Sequence, residues 1–397
     1  YYLDPDYFIS NGLVVTYLGR LTCDEQAARN WWRDSTKRSA QFASVGTIPS
    51  IDDGYTRAAV CGDFSNLPAA GVAGHGTPVA SMAYGRTFGW AFNANKWTIA
   101  AQIGNSISYL INTPSICFDI TRIFHENKPL NPNRNNTRDP LVINNSYGYI
   151  SQIVSEGSYK FRSNAAATYT GGVANAPNFL KGISTYDTNR IYSYNLLAAP
   201  GLRSSGDELL DDFQDIIFFA SAGNYNQKQD VPTGPDYNNW YFQGNNTNPP
   251  ETSKEYINRR GFPADAGGFT EQNGGYRTIS VGALSSYKGA NAKEGKDYYS
   301  NAGKGVDFFS PGGDVLSALV GTGTGTKYER YDSDSFYSWL NVPAYDGTID
   351  GTSSSSPVAA GFIASKLSKY RNWTTKIIKS YINNIVQKQD IVNDFEI

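Results

Sequence analysis

Short apolar runs with little alternation mark the middle of the chain. Leu141-Val142-Ile143-Asn144, Ile216-Ile217-Phe218-Phe219-Ala220 and Thr278-Ile279-Ser280-Val281-Gly282 each read as a buried strand, and Val306-Asp307-Phe308-Phe309 as a weaker fourth. Runs of this kind are expected when helices cover both faces of a parallel sheet, because no position faces water. Helical spacing appears between them, over Ile116 to Asn127 and over Gly206 to Gln214, the latter opened by the capping residues Ser205-Gly206-Asp207. Strands alternating with helices predict an α/β fold with a doubly wound, mainly parallel sheet.

This pattern begins near Val45. Residues 1–44 hold an aromatic stretch and a polar, helix-compatible segment, Asp24 to Gln41, and read as an N-terminal arm without chemistry of its own. Residues 45–397 then form the main domain. Two parts of it break the alternation. Residues 151–204 are rich in Tyr, Asn, Gly and Ser, and residues 225–274 carry Asn-Asn, Pro-Pro and Gly-Gly signals, so both read as long surface insertions with turns. No internal repeat is found.

Composition narrows the picture. The 397 residues are 40% hydrophobic and 18% charged, enough for a packed core. A net charge of −2 argues against a nucleic-acid partner. No apolar run approaches the roughly 18–20 residues of a membrane span. Cys23, Cys61 and Cys117 lack metal-site spacing and read as reduced, packed thiols, with one bridged pair as the alternative. Tyr1 stands where a Met would start a primary product, and no signal peptide precedes it. The chain therefore reads as a processed product or a segment whose address is lost, with secretion or a place in a virion as the options.

Four places carry candidate chemistry. His75 lies in Gly74-His75-Gly76-Thr77-Pro78, where Pro78 suits a first helical turn. The other histidine, His125, follows a helical pattern and reads as a surface or last-turn residue on the helix dipole. Gly351-Thr352-Ser353-Ser354-Ser355-Ser356-Pro357 opens an apolar helix with small residues; it is either a serine-rich cap or a nucleophile. Ala220-Ser221-Ala222-Gly223-Asn224 ends a strand with an amide suited to a crevice, or simply to a turn. Ile51-Asp52-Asp53-Gly54 taken alone is a turn.

Together, in the order Asp, His, Ser, these residues resemble the subtilase family of serine proteases and not chymotrypsin or the α/β-hydrolases. Asp52-Asp53-Gly54, His75-Gly76-Thr77, Ala222-Gly223-Asn224 and Gly351-Thr352-Ser353 with Pro357 look like its aspartate, histidine, oxyanion and serine motifs. Val142-Ile143-Asn144-Asn145-Ser146-Tyr147-Gly148 resembles its cleft strand, and Phe309-Ser310-Pro311-Gly312 the loop before its serine helix. The resemblance spans about residues 45–385 and implies a subtilisin-like fold. It implies a serine endopeptidase with Asp52, His75 and Ser353 as triad and Asn224 in the oxyanion hole. It also implies that an extended polypeptide substrate binds along Ser146, Tyr147 and Gly148, beside a pocket walled by Ser221, Ala222 and Gly223. No cofactor or metal is called for.

Some features depart from the family pattern. Ser354 stands where Met usually follows the nucleophile, Val358 stands for a common His, and Pro49 interrupts the strand before Asp52. The segment from Asp52 to His75 is short, which leaves Asp53 and then Asp63 as alternatives and removes support for calcium sites. Phe124-His125-Glu126-Asn127-Lys128-Pro129, with Asn131-Pro132 and the run to Tyr149, resembles subtilase-type proteins encoded by tailed phages. The competing function is therefore a virion assembly protein on the same fold, processing itself or inactive, with neighbouring chains as partners. A lipase-type hydrolase lacks its Gly-x-Ser-x-Gly elbow here.

Overall fold

The computed structural model describes residues 75–85, 89–96, 118, 121–122, 124–126, 128–148, 151–153, 156–172, 175–180, 191–193, 206–207, 209–270, 274–285, 295–318 and 346–386. The chain divides into two compact units. One takes residues 1–139, 316–348 and 364–371, the other residues 140–315, 349–363 and 372–397. No helix among the described residues is long and apolar enough to cross a membrane.

In the first unit, helix α1 runs from Gly76 to Tyr84. Pro78 falls in its first turn, where a missing N–H breaks no helical bond. Ser81 and Met82 are buried, and the Gly85 N–H closes the helix on the Ser81 carbonyl at 2.8 Å. Phe118, Thr121, Arg122 and Phe124, His125 and Glu126 are helical, within the stretch whose spacing predicts a helix. His125 corrects its reading as a surface residue: it is 1% exposed. The reason is periodicity. Phe118, Thr121 and His125 stand at i, i+3 and i+7, on one helical face, and all three are buried.

The second unit is built on strands β1 (Leu141–Asn145), β2 (Gly157–Lys160), β3 (Ala167–Tyr169), β4 (Ile216–Ser221), β5 (Trp240–Gln243), β6 (Glu255–Tyr256), β7 (Ile279–Leu284) and β8 (Phe308–Pro311). Helices α2 (Thr352–Leu367) and α3 (Thr375–Ile385) follow. Strands β8, β7, β4 and β1 lie side by side, and each pair is parallel. Val142 faces Ile217, Ile279 faces Phe219 and Val281 faces Phe308. Every residue of β4 is buried, as are the first five of β7, which is why both read as unbroken apolar runs.

The last of these strands starts at Phe308, two residues later than its apolar run suggests. Asp307 is diverted into a buried ion cluster. Its carboxylate accepts from the Ser280 N–H at 2.8 Å and pairs with Arg260 at 2.7 Å and Lys379 at 2.9 Å. Burial by itself would raise the Asp307 pKa, but the two cations hold it below the usual carboxylate value. Lys379 comes from α3, whose Ile378 and Ile382 are buried on the same side, so the cluster ties that helix to the sheet.

The stretches read as surface insertions carry strands that pair with one another. Strands β6, β5, β2 and β3 form an antiparallel sheet in that order, with Tyr159 opposite Tyr241. Behind it Tyr169, Ala176, Leu180, Tyr241 and Ile257 make a small core of their own, with Phe179 packed edge-on to Tyr159 at 5.4 Å. Asp236 fastens the strand connections. Its buried carboxylate pairs with Arg162 at 2.8 Å and Lys228 at 2.6 Å and accepts from Asn239 at 3.0 Å.

Burial would raise the pKa of Asp236, but these three donors outweigh it and bring the value down to about 2. A folded pKa below the unfolded one means that the stabilisation is whole above about pH 4 and disappears as pH falls towards the folded value. Asp236→Asn should therefore lower Tm at neutral pH. The gap to the unsubstituted chain should close as pH is lowered from about 4 to about 2, followed by thermal unfolding. A gap that stays constant over that range would contradict this account of Asp236.

Candidate active site

Helix α2 begins against the end of β4. That strand stops at Ser221, and Asn224 stands three residues beyond its carboxyl end. The Thr352 N–H donates to Asn224 Oδ1 at 2.8 Å, and the Thr352 hydroxyl donates to the same oxygen at 2.7 Å. The Thr352 Oγ also accepts the Gly223 N–H at 3.0 Å. A backbone N–H can only donate, so the atom facing it must be the amide oxygen. The orientation of the Asn224 amide is thereby fixed, and its Nδ2 turns away from Thr352.

Gly351 lies beside the Asn224 amide. The residue has φ +125°, and a Cβ built there would lie 3.2 Å from Asn224 Nδ2 and 3.6 Å from the Ser353 N. Asn224 Nδ2 and the Ser353 N thus both lie near the space that a side chain at 351 would enter. The first residues of α2 leave the Ser353 N–H without a helical acceptor, as at every helix start, and the helix dipole adds positive potential there.

The four consecutive serines differ in what they do. Ser354 donates to the Ile349 carbonyl at 3.3 Å, Ser355 to the Thr352 carbonyl at 3.1 Å and Ser356 to Asn144 Oδ1 at 2.7 Å. All three are 0% exposed. Ser353 alone among them keeps an open side, and its hydroxyl makes only a long 3.3 Å contact to the Ser146 carbonyl. A partly open hydroxyl beside two N–H donors has the parts needed to attack a carbonyl carbon and stabilise the resulting oxyanion.

Neighbouring segments hold this arrangement still. The Ser146 hydroxyl donates to the Ser353 carbonyl at 2.9 Å and accepts from Asn144 Nδ2 at 2.9 Å, which joins the end of β1 to the helix start. Asn301, fully buried, accepts the Tyr225 and Gln227 N–H groups at 3.2 and 2.9 Å and donates to the Ala222 carbonyl at 2.8 Å. Gln229 donates to that carbonyl at 2.9 Å. The backbone around Asn224 is therefore clamped on both sides.

The second unit thus brings together Ser353, Asn224 and Ser146, with the buried Ser221, Ala222 and Gly223 leading into Asn224 and the half-buried Tyr147 and Gly148 following Ser146. His75 belongs to the first unit, immediately before α1. Its side chain is exposed, yet partial loss of water lowers its pKa from the ordinary histidine value. Asp52, Asp53 and Asp63 lie outside the described residues. Among those residues, no cluster of three or more His, Cys, Asp or Glu could hold a metal ion. Sequence reasoning gave no role to Thr352, Asn144 or Asn301. Their signal was weak: Thr352 sat inside a recognised motif, and the two asparagines were two among many.

The sequence model of the subtilase family matches residues 63–395. No curated protein matches the chain. One solved structure that does is described as a cold adapted subtilisin-like serine proteinase; it is 18% identical, covers 81% of this chain and 70% of its own, and superposes with a TM-score of 0.42. That superposition is too loose to bear on the site.

The serine contacts lead to unequal stability effects for two substitutions in the same run. Ser356→Ala removes a 2.7 Å tie to Asn144 and should cost about 1–2 kcal/mol. Ser353→Ala should leave the unfolding free energy within about 0.5 kcal/mol of its starting value. Urea unfolding of both variants checks the contrast, and equal losses would refute it.

Proposed function

The chain belongs to the subtilase family and is a subtilisin-like serine endopeptidase, and we propose that Ser353 is its nucleophile, His75 its general base, Asp52 the partner of His75 and Asn224 its oxyanion donor. The observation that supports this reading is the anchored Asn224 amide: Thr352 holds its oxygen, its Nδ2 and the Ser353 N both lie near the position a Cβ at Gly351 would take, and the Ser353 hydroxyl keeps an open side.

The reaction follows from these parts. Ser353 Oγ attacks the scissile carbonyl carbon as its proton passes to His75, which a neutral imidazole accepts near neutral pH. The carbonyl oxygen becomes an oxyanion and receives hydrogen bonds from Asn224 Nδ2 and the Ser353 N–H. Collapse breaks the C–N bond, the amine leaves with the proton from His75, and an acyl group remains on Ser353. Water then repeats the sequence and frees the acid. Asp52 holds the imidazole tautomer and stabilises the imidazolium. The family match begins at Asp63, so it does not reach Asp52 or Asp53, and both Asp53 and Asp63 stay as alternatives for this role. No cofactor enters any step.

The substrate is a polypeptide, and we assign it an extended conformation. Ser146, Tyr147 and Gly148 continue from the outermost of the described parallel strands, in position to pair with a substrate main chain. Ser221, Ala222 and Gly223 offer small side chains for the wall of the pocket before the scissile bond. The alternative of an assembly protein without activity has no observation in its favour among the described residues, and the open Ser353 beside two donors counts against it.

Ser353→Ala should lower kcat on a peptide substrate by on the order of 10⁶, without rescue from Ser354, Ser355 or Ser356. Asn224→Ala should cost roughly 10²–10³. Of Asp52→Asn, Asp53→Asn and Asp63→Asn, one alone should fall by about 10⁴, which identifies the histidine's partner. Peptide hydrolysis at equal turnover by Ser353→Ala and the unsubstituted chain would remove the basis of the proposal.

A further inference from the structure

Gly351 is held by a residue outside the proposed catalytic set. Tyr299, half-buried, lies in the loop between β7 and β8. Its hydroxyl donates to the Gly312 carbonyl at 2.9 Å and accepts the Gly351 N–H at 2.8 Å. The Gly351 N–H also reaches the Gly312 carbonyl directly at 2.9 Å, so three polar groups close a triangle. The carboxyl of Asp297, 6% exposed, lies beside the same hydroxyl and helps to hold its pKa above the usual tyrosine value. Lys296 fixes that loop by donating to the Asp297 and Ser300 carbonyls at 2.8 and 3.1 Å and to Asn226 Oδ1 at 2.9 Å.

What this triangle controls follows from the chain. Gly351 has a backbone angle that side-chain-bearing residues rarely adopt, and two residues later stands Ser353. On one side the Gly351 carbonyl accepts the Ser354 N–H at 2.9 Å and starts the helix. On the other its N–H is caught between Gly312 and Tyr299. Gly312 cannot be displaced towards β7, because even a Cβ on it would come within 2.4 Å of the Ala283 Cβ. The Tyr299 hydroxyl therefore braces the Asp350–Gly351 peptide, which leads into the Thr352 and Ser353 N–H groups.

We propose that Tyr299 is a positioning residue for acylation: its hydroxyl holds the Gly351 peptide in the orientation that aims the Ser353 N–H at the developing oxyanion. The inference rests on Ser353 being the nucleophile. A positioning role acts on the transition state, so its loss appears in kcat and leaves KM nearly unchanged.

The test is the rate of covalent labelling by a fluorophosphonate, with peptide kcat and KM measured alongside. The unsubstituted chain is labelled first. Failure of Ser353 to label would overturn the nucleophile assignment itself, and with it this proposal. With Ser353 labelling established, Tyr299→Phe should label about tenfold more slowly, with kcat reduced by the same factor and KM within about twofold. Tyr298→Phe, at the exposed neighbouring ring, should label at the original rate. Should Tyr299→Phe prove too unstable to purify, a fluorinated tyrosine placed at 299 keeps the ring and weakens the hydroxyl as an acceptor; it too should slow labelling. Unchanged labelling and kcat in whichever of these chains folds, or a rise in KM alone, would overturn the positioning role.

Discussion

The join between Asn224 and Thr352 is the contact on which the rest of the site depends. One amide oxygen receives both the N–H and the hydroxyl of Thr352. That pair of bonds fixes which way the amide faces, sets the start of α2 against the end of β4, and leaves the amide nitrogen available to a ligand. Without it the Asn224 side chain would rotate freely, and a donor that has to be oriented during the reaction contributes far less than one already in place.

Rigidity around that join comes from buried polar groups, and apolar packing lies deeper. Ser146 and Asn144 tie in the end of β1, Asn301 and Gln229 hold the Ala222 carbonyl, and Tyr299 and Gly312 close over Gly351. These bonds run between segments, so the carboxyl ends of β1, β4 and β7 and the start of α2 constrain one another. Beneath them the buried, mainly apolar strands β4 and β7 give a base that cannot shift without exposing core. The antiparallel sheet of β2, β3, β5 and β6 has its own small core, separately fastened at Asp236.

Much of this was legible in the sequence, for identifiable reasons. Strands β4 and β7 announced themselves because burial on both faces favours apolar residues, whereas β1, also read as buried, is an edge strand among the described residues and only half-buried from Leu141 to Asn144. Ser353 and Asn224 were singled out because small residues around them form recognisable motifs. The start of β8 was misjudged because an ion pair to Arg260 and Lys379, distant in sequence, removes Asp307 from the strand. His125 was misjudged because the helical face it shares with Phe118 and Thr121 was not weighed against its polarity. The pairing of β2 with β5 joins residues some eighty positions apart, and no local pattern encodes it. Tyr299 was one tyrosine among 28, and only three-dimensional proximity to Gly351 marks it out.

The central claim is that Ser353 forms the covalent bond while Asn224 Nδ2 and the Ser353 N–H share the oxyanion. A crystal structure of the chain reacted with a peptidyl boronic acid tests it most directly, because the tetrahedral boronate reproduces the geometry of the intermediate. The account predicts a bond from boron to Ser353 Oγ and one boronate oxygen within about 2.7–3.1 Å of both nitrogens. Boron bonded to any other residue, or an oxygen turned to solvent with the Asn224 amide elsewhere, would contradict it.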